Sequence, residues 1–162
     1  MAAVRFLIVD ACVLIDFAKA DSAILTLVSR HVGEVHVATP VFEEVNEIDA
    51  TMASSLGIKI YEPSLEIAAE AAQRRGRLSF QDRLCLAIAL AEGWTCVSND
   101  RQLRTACAAA NVPVLWGFQV LLLLVEAGAM SAADARAIAT SIARGNKRIG
   151  SKVLARFFNK LF

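Results

Sequence analysis

The sequence predicts an α/β fold, a three-layer α/β/α sandwich around a central, mostly parallel sheet. Its 162 residues are 56% hydrophobic and 20% charged, enough for one domain that buries roughly two-thirds of its unfolded surface. Short apolar runs alternate with longer helical patterns, and this alternation predicts parallel strands with helices on both faces of the sheet. With only 3 Pro and 8 Gly, the composition excludes a disordered or loop-rich chain.

The predicted strands are short apolar runs. The run over residues 6–9 is apolar throughout and too short for a helix, which is typical of a buried strand in a parallel sheet. Further strands are predicted over residues 35–38, 58–61, 95–97 and 113–115. Asp10 follows the first strand directly, and Ser98, Asn99 and Asp100 follow the fourth.

The predicted helices are recognised by their periodicity and their end signals. One begins near Val13, and Thr39-Pro40 supplies an N-cap and first residue for a second, which carries Glu43, Glu44 and Glu47. Gly76 and Gly93 end the third and fourth helices, over residues 64–75 and 79–92. Later helices extend to about residue 110 and cover residues 118–127, 132–143 and 151–162.

Charge divides the chain into two parts. The net charge is +1, but residues 144–162 contain six basic residues and no acid, which leaves the first 143 residues at −5. We therefore predict a body over residues 1–143, and a basic linker with an amphipathic helix over residues 144–162. The helix has an apolar stripe, which favours packing on the body or on a second subunit over the alternative of insertion into a membrane surface. The stripe comprises Val153, Leu154, Phe157, Phe158, Leu161 and Phe162.

The cysteines and apolar stretches predict a cytoplasmic chain. The four cysteines form no Cys-x-x-Cys pair and lie in apolar runs, so reduced core thiols are expected. The N-terminus lacks the layout of a signal peptide. The longest nearly uncharged stretch, residues 112–125, is too short to cross a bilayer, so a membrane partner is not expected.

Four acids are predicted to meet at one edge of the sheet. Asp10 and Asp100 follow strands, while Glu44 and Asp82 lie in the first turns of helices. In open α/β sheets, sites form beyond the carboxyl ends of the strands. Four carboxylates that converge without a basic residue among them repel one another unless a cation lies between them, and oxygen ligands suit Mg²⁺ or Mn²⁺.

Each acid also has a structural interpretation. Asp10 and Asp100 suit N-caps, a role worth about 1 kcal/mol. Asp82 suits the first turn of a helix, where the dipole stabilises an acid. Glu44 lies beside Glu43 and Glu47 on a face that solvent could cover. The order and spacing of all four favour a shared site.

The motifs around these acids resemble those of PIN-domain nucleases. FLIVDACVLIDF is similar to the family's first strand and turn, VFEEVNE to its second acidic motif, and LSFQDRLCLAIALAEGWTCVSNDRQLR to the segment with its third and fourth acids. NVPVLWGFQVLLLLVEAGAMSAADARAI continues the likeness, which covers about residues 4–143. One departure is Cys12, where Asn or Ser is common in the family.

The resemblance implies a PIN-like fold and a metal-dependent endoribonuclease. Asp10, Asp82 and Asp100 match the positions of Mg²⁺ or Mn²⁺ ligands, and Glu44 that of a ligand or of a group that orients the attacking water. These four are the expected catalytic residues. Ser98 and Asn99 are expected to contribute polar contacts near the substrate. The same site would serve a nuclease that acts on DNA.

The substrate and protein partners follow from charge and from the resemblance. Arg74, Arg75 and Arg77 precede Asp82 and are expected either to hold RNA phosphates or to cap the preceding helix. The resemblance implies a homodimer and, as in many bacterial chains of this size, a toxin blocked by a small antitoxin protein. The alternative is a non-catalytic PIN-like module that binds nucleic acid or protein, in which Cys12 marks a decayed site.

Overall fold

The computed structural model describes residues 5–73 and 76–161. Within them, five strands form one parallel sheet in the order β3-β2-β1-β4-β5. The strands are β1 Arg5–Val9, β2 Gly33–Ala38, β3 Ile58–Tyr61, β4 Thr95–Val97 and β5 Val114–Leu115. The α/β class and the positions of all five strands are confirmed, and every strand pairing is parallel.

Helices cover both faces of the sheet, as the three-layer prediction requires. The helices are α1 Ala11–Asp21, α2 Ala23–His31, α3 Thr39–Phe42, α4 Ala50–Leu56, α5 Leu65–Ala72, α6 Phe80–Glu92, α7 Arg101–Ala109, α8 Gly117–Glu126, α9 Ala132–Gly145 and α10 Ser151–Lys160. One layer joins α1 and α2 to α8 and α9, with α10 packed on α9. The opposite layer joins α5, α6 and α7.

The connections place a crevice at the carboxyl end of β1. The chain leaves β1 toward β2 and β3 on one side and returns to β4 and β5 on the other. This change of direction between β1 and β4 is where ligands bind in open α/β sheets. Near this edge both strands are apolar and buried, with Ile8 and Cys96 at 0% exposure and Val9 and Val97 almost fully buried, so the core fixes the ends of both strands.

The region after β2 differs from the sequence prediction. Thr39 is the first residue of α3 rather than its N-cap, and the helix ends at Phe42. The next backbone hydrogen bonds, from Glu44 to Val41 and from Val45 to Phe42, span three residues and form tight turns. The three acids of this segment therefore lie after the helix: Glu43, Glu44 and Glu47. The apolar residues Val41, Val45 and Ile48 are buried although the helix does not continue to them all.

Two further helical boundaries were not predicted. The pattern that begins near Val13 is two helices, which meet at Ser22. Helix α4 was missed, although Asp49 caps its start by accepting the Met52 N–H at 2.7 Å and Gly57 ends it with φ 85°. Both features are ordinary helix end signals.

The apolar stripe of α10 packs on the body of the same chain. The ring of Phe157 lies 4.9 Å from that of Phe118 on α8, and Phe157 and Leu161 are buried. Phe162 lies outside the described residues. No helix in the described part of the chain is both long and apolar enough to cross a membrane.

Gly33 permits the close pairing of β2 with β1, and we expect Gly33→Ala to destabilise the fold. An added Cβ would lie 2.6 Å from the backbone oxygen of Arg5, so the strands must shift, at a cost of about 1–3 kcal/mol. Gly145→Ala, where nothing lies within 4 Å, is the control and should be neutral or slightly stabilising. Urea unfolding of both variants measures the difference, and equal stabilities would contradict this role for Gly33.

Candidate active site

Asp10 lies at the centre of the crevice, directly after β1. Its backbone N–H donates to the Val97 oxygen at 3.1 Å, which continues the β1–β4 pairing past the end of the strand. Its Oδ1 accepts the Val13 N–H at 3.1 Å and caps α1. The residue is 5% exposed. Asp10 is therefore an N-cap and a buried carboxylate at the crevice at once.

Ser98 connects Asp10 with Asp100. Its hydroxyl donates to Asp10 Oδ2 and accepts the Asp100 N–H at 3.0 Å. Ser98 is 0% exposed, so its hydroxyl does not face solvent and instead orients the Asp10 carboxylate. Asp100 caps α7 by accepting the Leu103 N–H at 2.9 Å. The residues that follow β1 and β4 thus form one hydrogen-bonded unit.

Asp82 enters from the opposite helical layer, in the first turn of α6. Ser79 caps this helix by accepting the Asp82 N–H at 3.1 Å. The guanidinium of Arg83 donates to the backbone oxygens of Ala71 and Leu78, at 2.6 Å for the Ala71 contact. Arg83 thereby ties the end of α5 to the segment that leads into α6, which holds the first turn of α6 in place.

The four predicted acids line one cavity of about 260 Å³, the carboxylate cavity. Asp10, Asp82 and Asp100 are buried or half-buried, whereas Glu44 is exposed at the rim. The convergence of these side chains on one space agrees with the sequence prediction. Glu44 reaches it from the turn after α3, not from within a helix.

Burial makes the carboxylate cavity unfavourable for negative charge. Desolvation raises the pKa of Asp10 from 3.8 to about 6, and the charges of Asp82 and Asp100 add to this. Desolvation also raises the pKa of Asp82, with Asp100 contributing. Hydrogen bonds from Ser98 and Val13 to Asp10 oppose the shift without cancelling it. A cation in this cavity would relieve both the burial and the repulsion.

A basic side chain also lines the carboxylate cavity, contrary to the prediction that no basic residue lies among the acids. Arg148, from the linker after α9, places its Nη1 3.8 Å from Asp100 Oδ2. Its side chain is 75% exposed, so the pair is worth at most about 1 kcal/mol. The basic segment therefore extends over the site, and its contact there is easily exchanged.

A second polar cluster, which sequence reasoning missed, anchors that linker. Asp16 Oδ2 accepts hydrogen bonds from Asn99 at 3.3 Å and from Asn146 at 3.0 Å. The other end of the Asn99 amide accepts the Gly117 N–H at 2.9 Å. Asn99 thus holds α1, β4 and α8 together. No sequence motif marks Asp16 and Asn146, because only the fold brings these two residues together.

Cys12 lies at the carboxylate cavity rather than in the core. It is exposed, whereas Cys85, Cys96 and Cys107 are buried, and all four thiols are free. Burial of part of the side chain, and then the charge of Asp10, raise the pKa of Cys12 to about 11. The thiol is therefore neutral at physiological pH and adds no charge to the site.

The three arginines before α6 do not all fall on described residues. Arg74 and Arg75 lie outside the described part of the chain. Arg77 is exposed and lines a shallow groove with Arg101, on the outer side of α7. It is absent from the lining of the carboxylate cavity.

The donor set of the carboxylate cavity fits a hard divalent cation in chemistry. Carboxylate oxygens are the ligands that Mg²⁺ and Mn²⁺ prefer, and a cation would offset the burial and the neighbouring carboxylates that raise the pKa of Asp10. Within residues 5–73 and 76–161, however, no three His, Cys, Asp or Glu side chains are grouped closely enough to hold a metal ion. The acids line the cavity wall and would have to close around a cation.

Comparison with known proteins identifies the family. No curated protein and no solved structure matches the chain. A family model described as a PIN domain matches residues 6–161, which includes the sheet except for Arg5 at the start of β1, all four acids and α10. The parallel sheet of order β3-β2-β1-β4-β5, with acids after β1 and β4, agrees with that match. The chain belongs to the PIN-domain family, whose fold is of the nuclease type.

Proposed function

We propose that this protein is a metal-dependent endoribonuclease that hydrolyses RNA phosphodiester bonds in the carboxylate cavity. PIN domains are generally nucleases and typically use divalent metals. The observation that carries the proposal is the meeting of Asp10, Asp82 and Asp100 beside Glu44 in one cavity at the β1–β4 crevice. The raised pKa of buried Asp10 supports it, because perturbed pKa values cluster at functional sites.

The side chains have distinct roles in this proposal. Asp10, Asp82 and Asp100 would hold Mg²⁺ or Mn²⁺, which supplies an activated water and neutralises charge at the phosphate. Ser98 keeps Asp10 Oδ2 in position. Glu44, at the exposed rim, orients the attacking water or completes the ligand set. Arg148 is close enough to Asp100 to exchange that contact for a phosphate oxygen of the strand.

The proposal is tested by cleavage of a mixed RNA pool with Mn²⁺, with Mg²⁺ and with EDTA, beside an Asp100→Asn variant. Asn caps a helix as well as Asp does, so α7 should be retained while the charge is lost. We expect cleavage with metal and none with EDTA. We expect a loss of at least about 100-fold in the variant, because a metal supplies several kcal/mol of transition-state stabilisation.

The same experiment separates the alternatives. Absence of cleavage together with absence of Mn²⁺ binding in calorimetry would reject the nuclease and favour the non-catalytic module. A single-stranded DNA pool of the same composition, tested in parallel, distinguishes RNA from DNA as the substrate. Equal cleavage of both pools would contradict RNA specificity.

Further parts of the proposal concern partners and location. A homodimer is supported by the exposed Leu65 on α5 and Leu90 on α6, which are 87% and 54% exposed, and light scattering measures the mass.

A small antitoxin protein that blocks the site is part of the toxin proposal and is tested by co-purification with the product of a neighbouring gene. Free thiols at all four cysteines support a cytoplasmic location.

A further inference from the structure

A large groove opens next to the carboxylate cavity and shares two of its residues. The basic groove, about 870 Å³ in volume, is lined by Arg101 and Arg104 of α7, Trp116 before α8, and Arg148 and Arg156 of the C-terminal segment, with Asp100 at its inner end. Asp100 and Arg148 line both spaces. A chain that leaves the carboxylate cavity at this side therefore enters the basic groove.

Arg104 and Trp116 form a flat pair in the wall of the groove. The guanidinium carbon of Arg104 lies 3.6 Å from the centre of the Trp116 ring, which is a cation–π contact. The Arg104 Nε is buried and has no hydrogen-bond partner among the described residues. Burial also lowers the pKa of Arg104. The side chain is thus held mainly by its contact with the Trp116 ring, not by a hydrogen bond from Nε.

The charge of the groove is largely uncompensated. In the described ranges, Arg101, Arg104 and Arg156 form no salt bridge, and Arg148 has only its long contact with Asp100. Four arginines thus face one carboxylate across the groove. Arginine binds phosphate oxygens through parallel N–H donors, and its flat guanidinium also stacks on rings. The lining therefore combines phosphate-binding groups with a stacking surface.

We propose that the basic groove binds an unpaired RNA strand next to the bond that is cut, with a nucleobase stacked on the Arg104–Trp116 pair. The phosphates on either side are held by Arg101, Arg148 and Arg156. This proposal rests on the proposed ribonuclease function and adds to it a base-stacking position, formed by Arg104 and Trp116 in the groove wall. Bases in an A-form duplex are stacked on one another and cannot reach a protein ring, whereas unpaired bases stack on aromatic and arginine side chains.

The test is binding of a short fluorescein-labelled single-stranded RNA in EDTA, measured by fluorescence anisotropy. Arg104→Gln removes the charge and replaces the guanidinium over the Trp116 ring with a shorter, neutral amide. Arg136→Gln is the matched control, because Arg136 lies over the Phe158 ring, 4.5 Å from its centre, away from the groove. We expect Arg104→Gln to weaken binding about tenfold, the scale of one base stack, and Arg136→Gln to change it less than about twofold.

A second readout uses the groove's own tryptophan. The chain has 2 tryptophans, and Trp94→Phe leaves Trp116 as the reporter. We expect single-stranded RNA to quench its fluorescence, and the same strand annealed to its complement to bind more weakly and to quench less. Heparin supplies the polyanion without bases, and we expect it to compete for the groove without quenching.

The outcomes separate this inference from the ribonuclease proposal. If Arg104→Gln and Arg136→Gln bind RNA alike, or if duplex and single strand bind and quench alike, the groove is not a single-strand site. Metal-dependent cleavage would then stand without it. If instead Arg104→Gln weakens binding but the native chain cuts no RNA, the strand-binding groove stands and the ribonuclease function falls.

Discussion

Asp10→Asn is expected to reduce metal-dependent RNA cleavage by about 1000-fold, because several kcal/mol of transition-state stabilisation depend on the bound cation. Asp10 is the most buried of the four acids that line the carboxylate cavity. Asn retains the cap on α1, because its side-chain oxygen can accept the Val13 N–H. The loss should therefore appear in turnover with Mn²⁺ while the fold is unchanged by circular dichroism.

Asp49→Asn provides the matched control for this variant. Asp49 also caps a helix from an extended backbone, with φ −89° and ψ 174°, close to the −80° and 166° of Asp10. It accepts the Met52 N–H at 2.7 Å and does not line the carboxylate cavity. Cleavage should be unaffected in Asp49→Asn. Equal loss in both variants would show that capping, not the charge at the crevice, explains the effect.

The fold was predictable because the strands at its centre, β1 and β4, contain local apolar runs. Residues 6–9 and 95–97 carry no polar side chain except Thr95, and the structure pairs Val9 with Val97 at the centre of the sheet. Gly93 ends α6 as expected, with φ 72°, whereas α5 ends at Ala72 with Gln73 as its C-cap, before the stop predicted at Gly76. The error at α3 arose because Val41, Val45 and Ile48 repeat with helical spacing although the backbone turns instead. Burial of those three residues does not require a continuous helix.

The candidate site illustrates how one residue serves two roles. Sequence reasoning weighed N-cap against metal ligand for Asp10 and Asp100, and both residues are N-caps in the structure. A capping carboxylate uses one oxygen for the backbone and leaves acceptor capacity on the other. The cap therefore does not compete with the proposed role but fixes the direction of the side chain.

The parts of the site that could not be predicted come from distant segments. Arg148 meets Asp100, and Asn146 meets Asp16, only because α9 runs back along α1 and returns the linker to the crevice. No local pattern around residue 148 encodes that approach. The basic charge of residues 144–162 was visible in the sequence, but its position beside the carboxylate cavity depends on the packing of α10 on α8 and α9.

Asp10→Asn is also expected to stabilise the metal-free protein at neutral pH. The pKa of Asp10 is about 6 in the folded chain against an ordinary 3.8, so the folded state binds its proton more tightly than the unfolded state does. The stability of the native chain therefore falls as the pH rises from about 3.8 to 6, and the penalty is complete above that range. This difference between the folded and the ordinary pKa of Asp10 corresponds to about 3 kcal/mol of folding free energy.

The measurement is urea unfolding of the native chain and Asp10→Asn in EDTA from pH 4 to pH 8. The variant's advantage should be near zero at pH 4, grow through pH 5 and reach a plateau above about pH 6, because Asn does not titrate in this range. Saturating Mn²⁺ at neutral pH should then reverse the order, since a cation that binds only the folded native chain stabilises it. A stability difference that stays constant across the pH range would mean that titration of Asp10 does not cause it. If Mn²⁺ leaves the stability of the native chain unchanged, Asp10 is buried without being part of a metal site.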